Sequence, residues 1–133
     1  MRRIPHIGAL MTPFPWHLEV DGQVGDARAM MAEQGVHHLP VTGPEHQVLG
    51  LVHLSALPDT DDPLVDWLES VPCLESATRA DRVLELMAES HQKVVVLTRH
   101  GHLAGIITWT DACRALARHL REPFLPPEGD GVA

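Results

Sequence analysis

The chain has 133 residues, 44% of them hydrophobic, and a formal net charge of −8 at pH 7 with the histidines neutral. This length suits one compact domain or two small repeats that share a core. The negative charge makes nucleic acids and anionic membranes poor partners, and no apolar run approaches the roughly twenty residues that span a bilayer. We therefore expect a cytoplasmic protein, with Cys73 and Cys113 as reduced residues of its core.

The first half of the chain alternates short predicted strands with helical segments. Pro13 imposes an extended backbone after the first turn, Gly35 suits a helix end, and Pro58 cuts a later helix short. The predicted elements are, in order, a helical turn at 7–11, a strand at 16–20, a helix at 24–35, strands at 39–41 and 48–53, and a helix begun at Ser55.

The second half shows the same order of elements. Thr78-x-x-Asp81 resembles a capping box at the start of a helix. The elements are, in order, a helical turn at 66–68, a strand at 73–74, the helix after Thr78, a hairpin of strands 93–98 and 103–109 around His100-Gly101, and a last helix to about Leu120. Prolines then end the helix, and residues 123–133 are predicted to be a flexible tail.

An internal duplication explains this similarity. Residues 37–50 align without a gap on residues 92–105. An internal repeat of this kind is a stronger guide to the fold of a chain than any single motif. We therefore divide the chain into repeat one at 1–58, an acidic linker at 59–66, and repeat two at 67–122. The linker lacks the glycine and terminal glutamate of a calcium loop, so we expect it to be solvated.

The stretch from Gly105 to Asp111 carries the most chemical information. Its strand runs into a helix at Thr108, so free backbone N–H groups favour an anion there. The hydroxyls of Thr108 and Thr110 can donate to a phosphate, and the carboxylate of Asp111 suits two ribose hydroxyls. The alternative is that Thr108 and Asp111 only cap the helix, which stabilises it by about 1 kcal/mol.

These residues, seen within a duplication, resemble the tandem CBS domain pair known as a Bateman module. The resemblance covers both repeats and is carried by Gly35-Val36-x-x-Leu39-Pro40-Val41, Val48-Leu49-Gly50-Leu51-Val52 and Gly105-x-x-Thr108-x-x-Asp111. It implies an α/β fold of two β-α-β-β-α CBS repeats packed with pseudo-twofold symmetry. It also implies a regulatory module with no catalytic activity, which binds AMP, ADP, ATP, adenosine or S-adenosylmethionine between the repeats and controls a partner protein.

The resemblance also implies which residues bind this ligand. Asp111 would hold the ribose, Thr108 and Thr110 would lie near the phosphate or 5′ group, and Ile106 would pack on the base. The remaining residues expected near the ligand are His37, its equivalent Gln92, and Met11, Phe14 and Trp16 from the first strand of repeat one.

Repeat one departs from the family pattern. His53 stands where the threonine is expected and Ala56 where the aspartate is expected, so we predict a single ligand per chain. Because few basic residues map to the cleft, we favour AMP, adenosine or S-adenosylmethionine over ATP. The alternative function is a structural dimerisation module without ligand, and the resemblance implies a homodimer in either case.

The ten histidines do not form a recognisable metal site. His100 and His102 flank a glycine in a hairpin turn, and no cysteine or acidic partner stands at ligand spacing. Neither cysteine has a base in a recognisable nucleophile pattern. We therefore predict no metal, no required cofactor and no enzymatic activity.

Overall fold

The computed structural model describes residues 3–13 and 15–122. Phe14 and the tail predicted at 123–133 lie outside these residues. The described residues contain the α-helices α1 (Val24–Gln34), α2 (Ala80–Glu89) and α3 (Trp109–Arg121). Single 3₁₀ turns are formed by Ile7–Ala9, Leu54–Ala56 and Leu64–Trp67. None of the helices in this part of the chain is both long and apolar enough to cross a membrane.

The strands form two sheets, one for each repeat. In repeat one, β2 (Leu18–Glu19) runs parallel to β3 (His38–Thr42), which pairs antiparallel with β4 (Val48–His53). In repeat two, β5 (Cys73–Glu75) runs parallel to β6 (Val94–Arg99), which pairs antiparallel with β7 (His102–Thr108). The short strand β1 (Thr12–Pro13) joins this second sheet at its edge, beside β7. The predicted fold of two α/β repeats with pseudo-twofold symmetry is confirmed. The two repeats differ at their ends, because only a 3₁₀ turn precedes Pro58 where repeat two has α3.

The core of each repeat includes a residue from outside that repeat. Ile7 is fully buried among the core residues of repeat two, including Val83 and Ile107. Leu64 is fully buried among those of repeat one. Full burial of such a side chain contributes about 1.5–3 kcal/mol, so the two repeats depend on each other for stability.

The same exchange appears in the backbone pairing. β1 pairs with β7, with Thr12 opposite Ile106. A bridge between Leu51 and Glu69 is its counterpart in the other repeat, with hydrogen bonds of 3.0 and 2.8 Å. These crossings bring β1 beside Ile106 of β7, and Thr12 and Ile106 both lie at the predicted site.

Three local predictions are wrong. Cys73 and Cys113 are exposed rather than buried in the core, because β5 is an edge strand and none of the residues of α3 is buried. Thr78 does not cap α2. The helix starts at Ala80, whose N–H donates to the carbonyl of Pro5 at 2.9 Å. Asp81 pairs instead with Arg79 at 2.8 Å, which lowers the pKa of the Asp81 carboxyl.

The acidic linker is not simply solvated. Asp61 accepts a hydrogen bond from the N–H of Gly25 at 2.8 Å, and the carbonyl of Asp62 accepts one from Val24 at the same distance. These contacts supply acceptors for the free N–H groups in the first turn of α1. The linker therefore holds the start of α1 in place.

Candidate functional site

A cleft of about 410 Å³ opens where α3 begins. Its volume falls within the range of small-molecule sites, roughly 300–1,000 Å³. The lining comes from the segment around β1, the start of β3, the end of β7 and the first turns of α3, with the residues Thr12, Pro15, Trp16, Gly35, Val36, His37, His38, Pro40, Ile106, Thr108, Thr110, Asp111 and Arg114. Both repeats thus contribute to a single cleft.

Thr108 and Asp111 form a reciprocal capping box at the start of α3. The Thr108 hydroxyl accepts from the N–H of Asp111 at 3.2 Å, and Asp111 Oδ2 accepts from the N–H and the hydroxyl of Thr108, each at 3.0 Å. The helix-cap interpretation is therefore confirmed. It does not compete with a binding role, because these hydrogen bonds use only one carboxylate oxygen.

The second carboxylate oxygen, Asp111 Oδ1, accepts no hydrogen bond from any described residue. Thr110 lies one residue earlier, is exposed, and has no hydrogen bond from its hydroxyl within the same ranges. An ionised carboxylate oxygen is an acceptor only. The lip of the cleft therefore offers one free acceptor and one free hydroxyl to a ligand.

Histidines line the opposite wall. The rings of His38 and His53 meet edge to face, with centroids 4.3 Å apart. Burial, followed by the nearby His53 and His37, lowers the pKa of His38 from 6.5 to about 4. His38 is therefore a neutral imidazole at pH 7 and adds no positive charge to the cleft.

Arg114 is a charged site residue that the sequence reasoning missed. It lies three residues after Asp111 and four after Thr110, a spacing that places all three on one side of a helix. Its side chain is exposed and forms no ion pair within residues 3–13 and 15–122. It gives the cleft a cation, and the helical spacing after Asp111 was the signal that could have revealed it.

The structure brings most of the predicted ligand residues together. Asp111, Thr108, Thr110, Ile106, His37 and Trp16 all line the cleft, whereas Gln92 and Met11 do not. The carbonyl of Gln92 accepts a 2.8 Å hydrogen bond from the Trp109 indole. Met11 packs against Gly105, where a β-carbon would collide with its sulfur. Phe14 lies outside the described residues.

In repeat one, the side chains at the positions of Thr108 and Thr110 contact each other. His53 Nδ1 accepts from the Ser55 N–H at 3.2 Å and lies 2.8 Å from the Ser55 hydroxyl. Ala56, at the position of Asp111, offers no acceptor. Within the described part of the chain, no group of three or more His, Cys, Asp or Glu residues is placed to hold a metal ion.

Comparison with known proteins agrees with this architecture. The family model of the CBS domain matches twice, at residues 7–57 and 68–118. The chain belongs to the CBS domain family. A search of functionally curated proteins finds no match.

Solved structures show the same CBS fold at low identity. CBSX2 in complex with AMP is 21% identical, with a TM-score of 0.79 over 88% of this chain and 99% of that one. The CBS domain pair of protein MJ0100, in complex with 5′-methylthioadenosine and S-adenosyl-L-methionine, is 15% identical, with a TM-score of 0.77 over 88% and 99%. The CBS domains of a transcriptional regulator from Streptococcus pneumoniae are 18% identical, with a TM-score of 0.75 over 84% and 99%.

Proposed function

We propose that this CBS domain pair is a cytoplasmic sensor that binds one adenosine-type ligand per chain in the Asp111 cleft and so regulates a partner protein. CBS domain pairs are in general regulatory rather than catalytic, and two structural neighbours hold AMP or S-adenosylmethionine and methylthioadenosine. The observation that carries the proposal is the free Oδ1 of Asp111 in a cleft of suitable size.

The charges of the cleft favour a ligand with one phosphate. Asp111 would accept from the ribose hydroxyls, while Arg114 and Thr110 would donate to an anionic 5′ group. ATP would bring about four negative charges to a chain at −8, and His38 is neutral there. We therefore rank AMP first, ahead of adenosine, S-adenosylmethionine and ADP, with ATP last.

Thermal denaturation with these five compounds tests the proposal. A ligand at 100 times its dissociation constant should stabilise the fold by about 2.7 kcal/mol. AMP should raise the melting temperature most, and ATP least. If none of the five raises it at millimolar concentration, the sensor function is refuted. Release of product from any of them would instead indicate an enzyme.

A second function has its own support. Leu116 and Leu120 of α3 are 55% and 50% exposed, and they belong to one face of that helix. Exposed apolar faces of this kind are typical of interaction surfaces. We therefore also propose that the module forms a homodimer. Light scattering should give twice the chain mass, and a dimer that binds none of the five compounds would favour the purely structural function.

A further inference from the structure

Three histidines surround a second cavity. It has a volume of about 290 Å³ and is lined by Pro15, His17, His46, His102 and Leu103. His17 follows β1, His46 lies in the turn between β3 and β4, and His102 begins β7. Both repeats therefore contribute imidazoles to one cavity, which we call the histidine cavity.

The backbone holds two of these histidines close together. The N–H of Leu103 donates to the carbonyl of His46 at 3.0 Å, and Gln47 forms a bridge with His102. In the alignment of residues 37–50 with residues 92–105, Gln47 and His102 are equivalent positions. Their bridge therefore lies at the pseudo-twofold axis, and the two turns that carry His46 and His102 are fixed against each other there.

The backbone conformation at His46 indicates a role for its side chain. His46 has a φ of 60°, in the left-handed region that favours glycine. The equivalent position in repeat two is Gly101, which has a φ of 80°. A residue other than glycine costs free energy in this region, and such residues cluster at functional sites. Because repeat two has glycine at this position, the turn itself does not require a histidine.

The imidazoles of His46 and His102 are neighbours with free nitrogens. Their ring centroids lie 6.4 Å apart, at an interplanar angle of 61°. Neither ring forms a hydrogen bond or an ion pair with another described residue, and both side chains are exposed. Two imidazoles that bind one ion at about 2.0–2.1 Å have their centres about 1 Å closer than this. A turn of either exposed ring closes that gap.

His17 brings a third imidazole with the same chemistry. Its Nδ1 lies 3.1 Å from the carbonyl oxygen of Pro15. Because a carbonyl oxygen only accepts, Nδ1 carries the proton, and Nε2 of the neutral ring keeps its lone pair. Metal-binding histidines usually donate their second ring N–H to a carbonyl or carboxylate in this way. No three such side chains of the described residues converge on one point, so His17 reaches the pair only when its exposed ring turns.

We propose that the histidine cavity binds one divalent transition-metal ion (Zn²⁺, Ni²⁺ or Cu²⁺), with His46 and His102 as its ligands and His17 as the third imidazole. Imidazole nitrogen suits these ions, whereas Mg²⁺ and Ca²⁺ prefer oxygen. The net charge of −8 also favours a cation. The prediction of no metal came from spacing along the chain, which does not show a pair formed between the two repeats. The ion would join the β3–β4 turn of repeat one to the β6–β7 hairpin of repeat two, whether or not an adenosine-type ligand is bound.

Calorimetry with ZnCl₂ on the full chain, without a purification tag, tests the site. The wild type should bind one Zn²⁺ per chain. The ligand variants His46→Gln and His102→Gln should each lower the affinity at least tenfold, since loss of even a second-shell partner costs about 10–100-fold. His17→Gln should lower it less. His100→Gln is the matched control and should leave the affinity unchanged, because His100 lies in the same hairpin, has a φ of 54° and does not line the cavity.

The variant His46→Gly separates loss of a metal ligand from loss of folding. Glycine suits the left-handed backbone, so in urea without metal this variant should be about as stable as the wild type. It should nevertheless lose zinc affinity as His46→Gln does. Electron paramagnetic resonance with Cu²⁺ gives a direct readout of the ligands, because bound imidazole nitrogens split the signal. The wild type should show at least two such nitrogens, and His46→Gly one fewer.

The outcomes are distinct from those of the adenosine-ligand experiments. Wild-type zinc affinity in either ligand variant overturns the site. A tenfold loss in the His100 control, or in Cys73→Ser/Cys113→Ser, places the ion elsewhere and overturns it as well. Unchanged affinity in His17→Gln overturns the assignment of His17 alone. If none of the three ions binds at millimolar concentration, the whole proposal is refuted, and a loss confined to the variants of the histidine cavity supports it.

Discussion

The substitution Asp111→Asn separates the two roles assigned to this carboxylate. The amide oxygen of asparagine can take the place of Oδ2 and still accept from the N–H and the hydroxyl of Thr108. Each of these donors lies 3.0 Å from Oδ2 of Asp111. The amide nitrogen would then occupy the place of Oδ1, and a nitrogen that donates cannot accept from a ribose hydroxyl. The cap should therefore survive while the binding role is lost.

The expected sizes of the two effects differ clearly. Loss of a hydrogen bond to a charged group costs about 1.5–3 kcal/mol, so AMP affinity should fall roughly tenfold to a hundredfold. Stability should fall by about 1 kcal/mol or less, because only the charge at the helix N-terminus is lost. Asp111→Ala should weaken binding as much, and it should destabilise the fold by about 1 kcal/mol more through loss of the cap.

Isothermal calorimetry with AMP and urea denaturation measure the two effects on the same proteins. Asp81→Asn is the matched control, since it makes the same chemical change in the first turn of α2, away from the cleft. It should leave AMP affinity unchanged. Wild-type affinity in Asp111→Asn would show that the ribose is held elsewhere, and a stability loss equal to that of Asp111→Ala would show that the cap needs the charge.

Four further predictions follow from the same structure. Arg114→Gln should weaken the affinity for AMP about tenfold and leave the affinity for adenosine unchanged. The control Arg118→Gln should change neither affinity. If calorimetry shows that Arg114→Gln loses affinity for both ligands equally, a contact between Arg114 and the phosphate is excluded. Calorimetry should also give one AMP per chain, because Ala56 and the His53–Ser55 pair offer no ribose acceptor, and a stoichiometry of two would refute this. The pKa of His38 lies below its unfolded value of 6.5, so the fold is stabilised by the neutral form of this side chain. The stabilisation is complete above pH 6.5 and declines as the pH falls toward 4. Urea denaturation of His38→Gln should therefore show a weaker dependence of stability on pH between these two values. Ile7→Ala should destabilise the fold by about 2–5 kcal/mol and shift one cooperative transition, whereas two separate transitions would show that the repeats unfold independently.

The sequence alone determined the repeats and the start of α3. Apolar periodicity identified α1, α2 and both hairpins, since these patterns reflect contacts within a few residues along the chain. The capping box at Thr108 and Asp111 could be predicted for the same reason, because both partners lie within one helical turn.

Only the tertiary structure decided which side chains share the cleft. Met11 and Gln92 were expected there and face other neighbours, while Arg114 was not expected and lines it. The direction of a side chain relative to a cleft depends on how distant elements pack, and no local pattern encodes that.

Burial was decided at the same level. The apolar pattern around Cys113 predicted a core residue, but no second layer of the described chain covers α3. Conversely, Ile7 of repeat one is fully buried in the core of repeat two, and Leu64 of the linker is fully buried in the core of repeat one. Local periodicity shows which face of an element is apolar, whereas the segment that covers this face is brought there by the path of the whole chain.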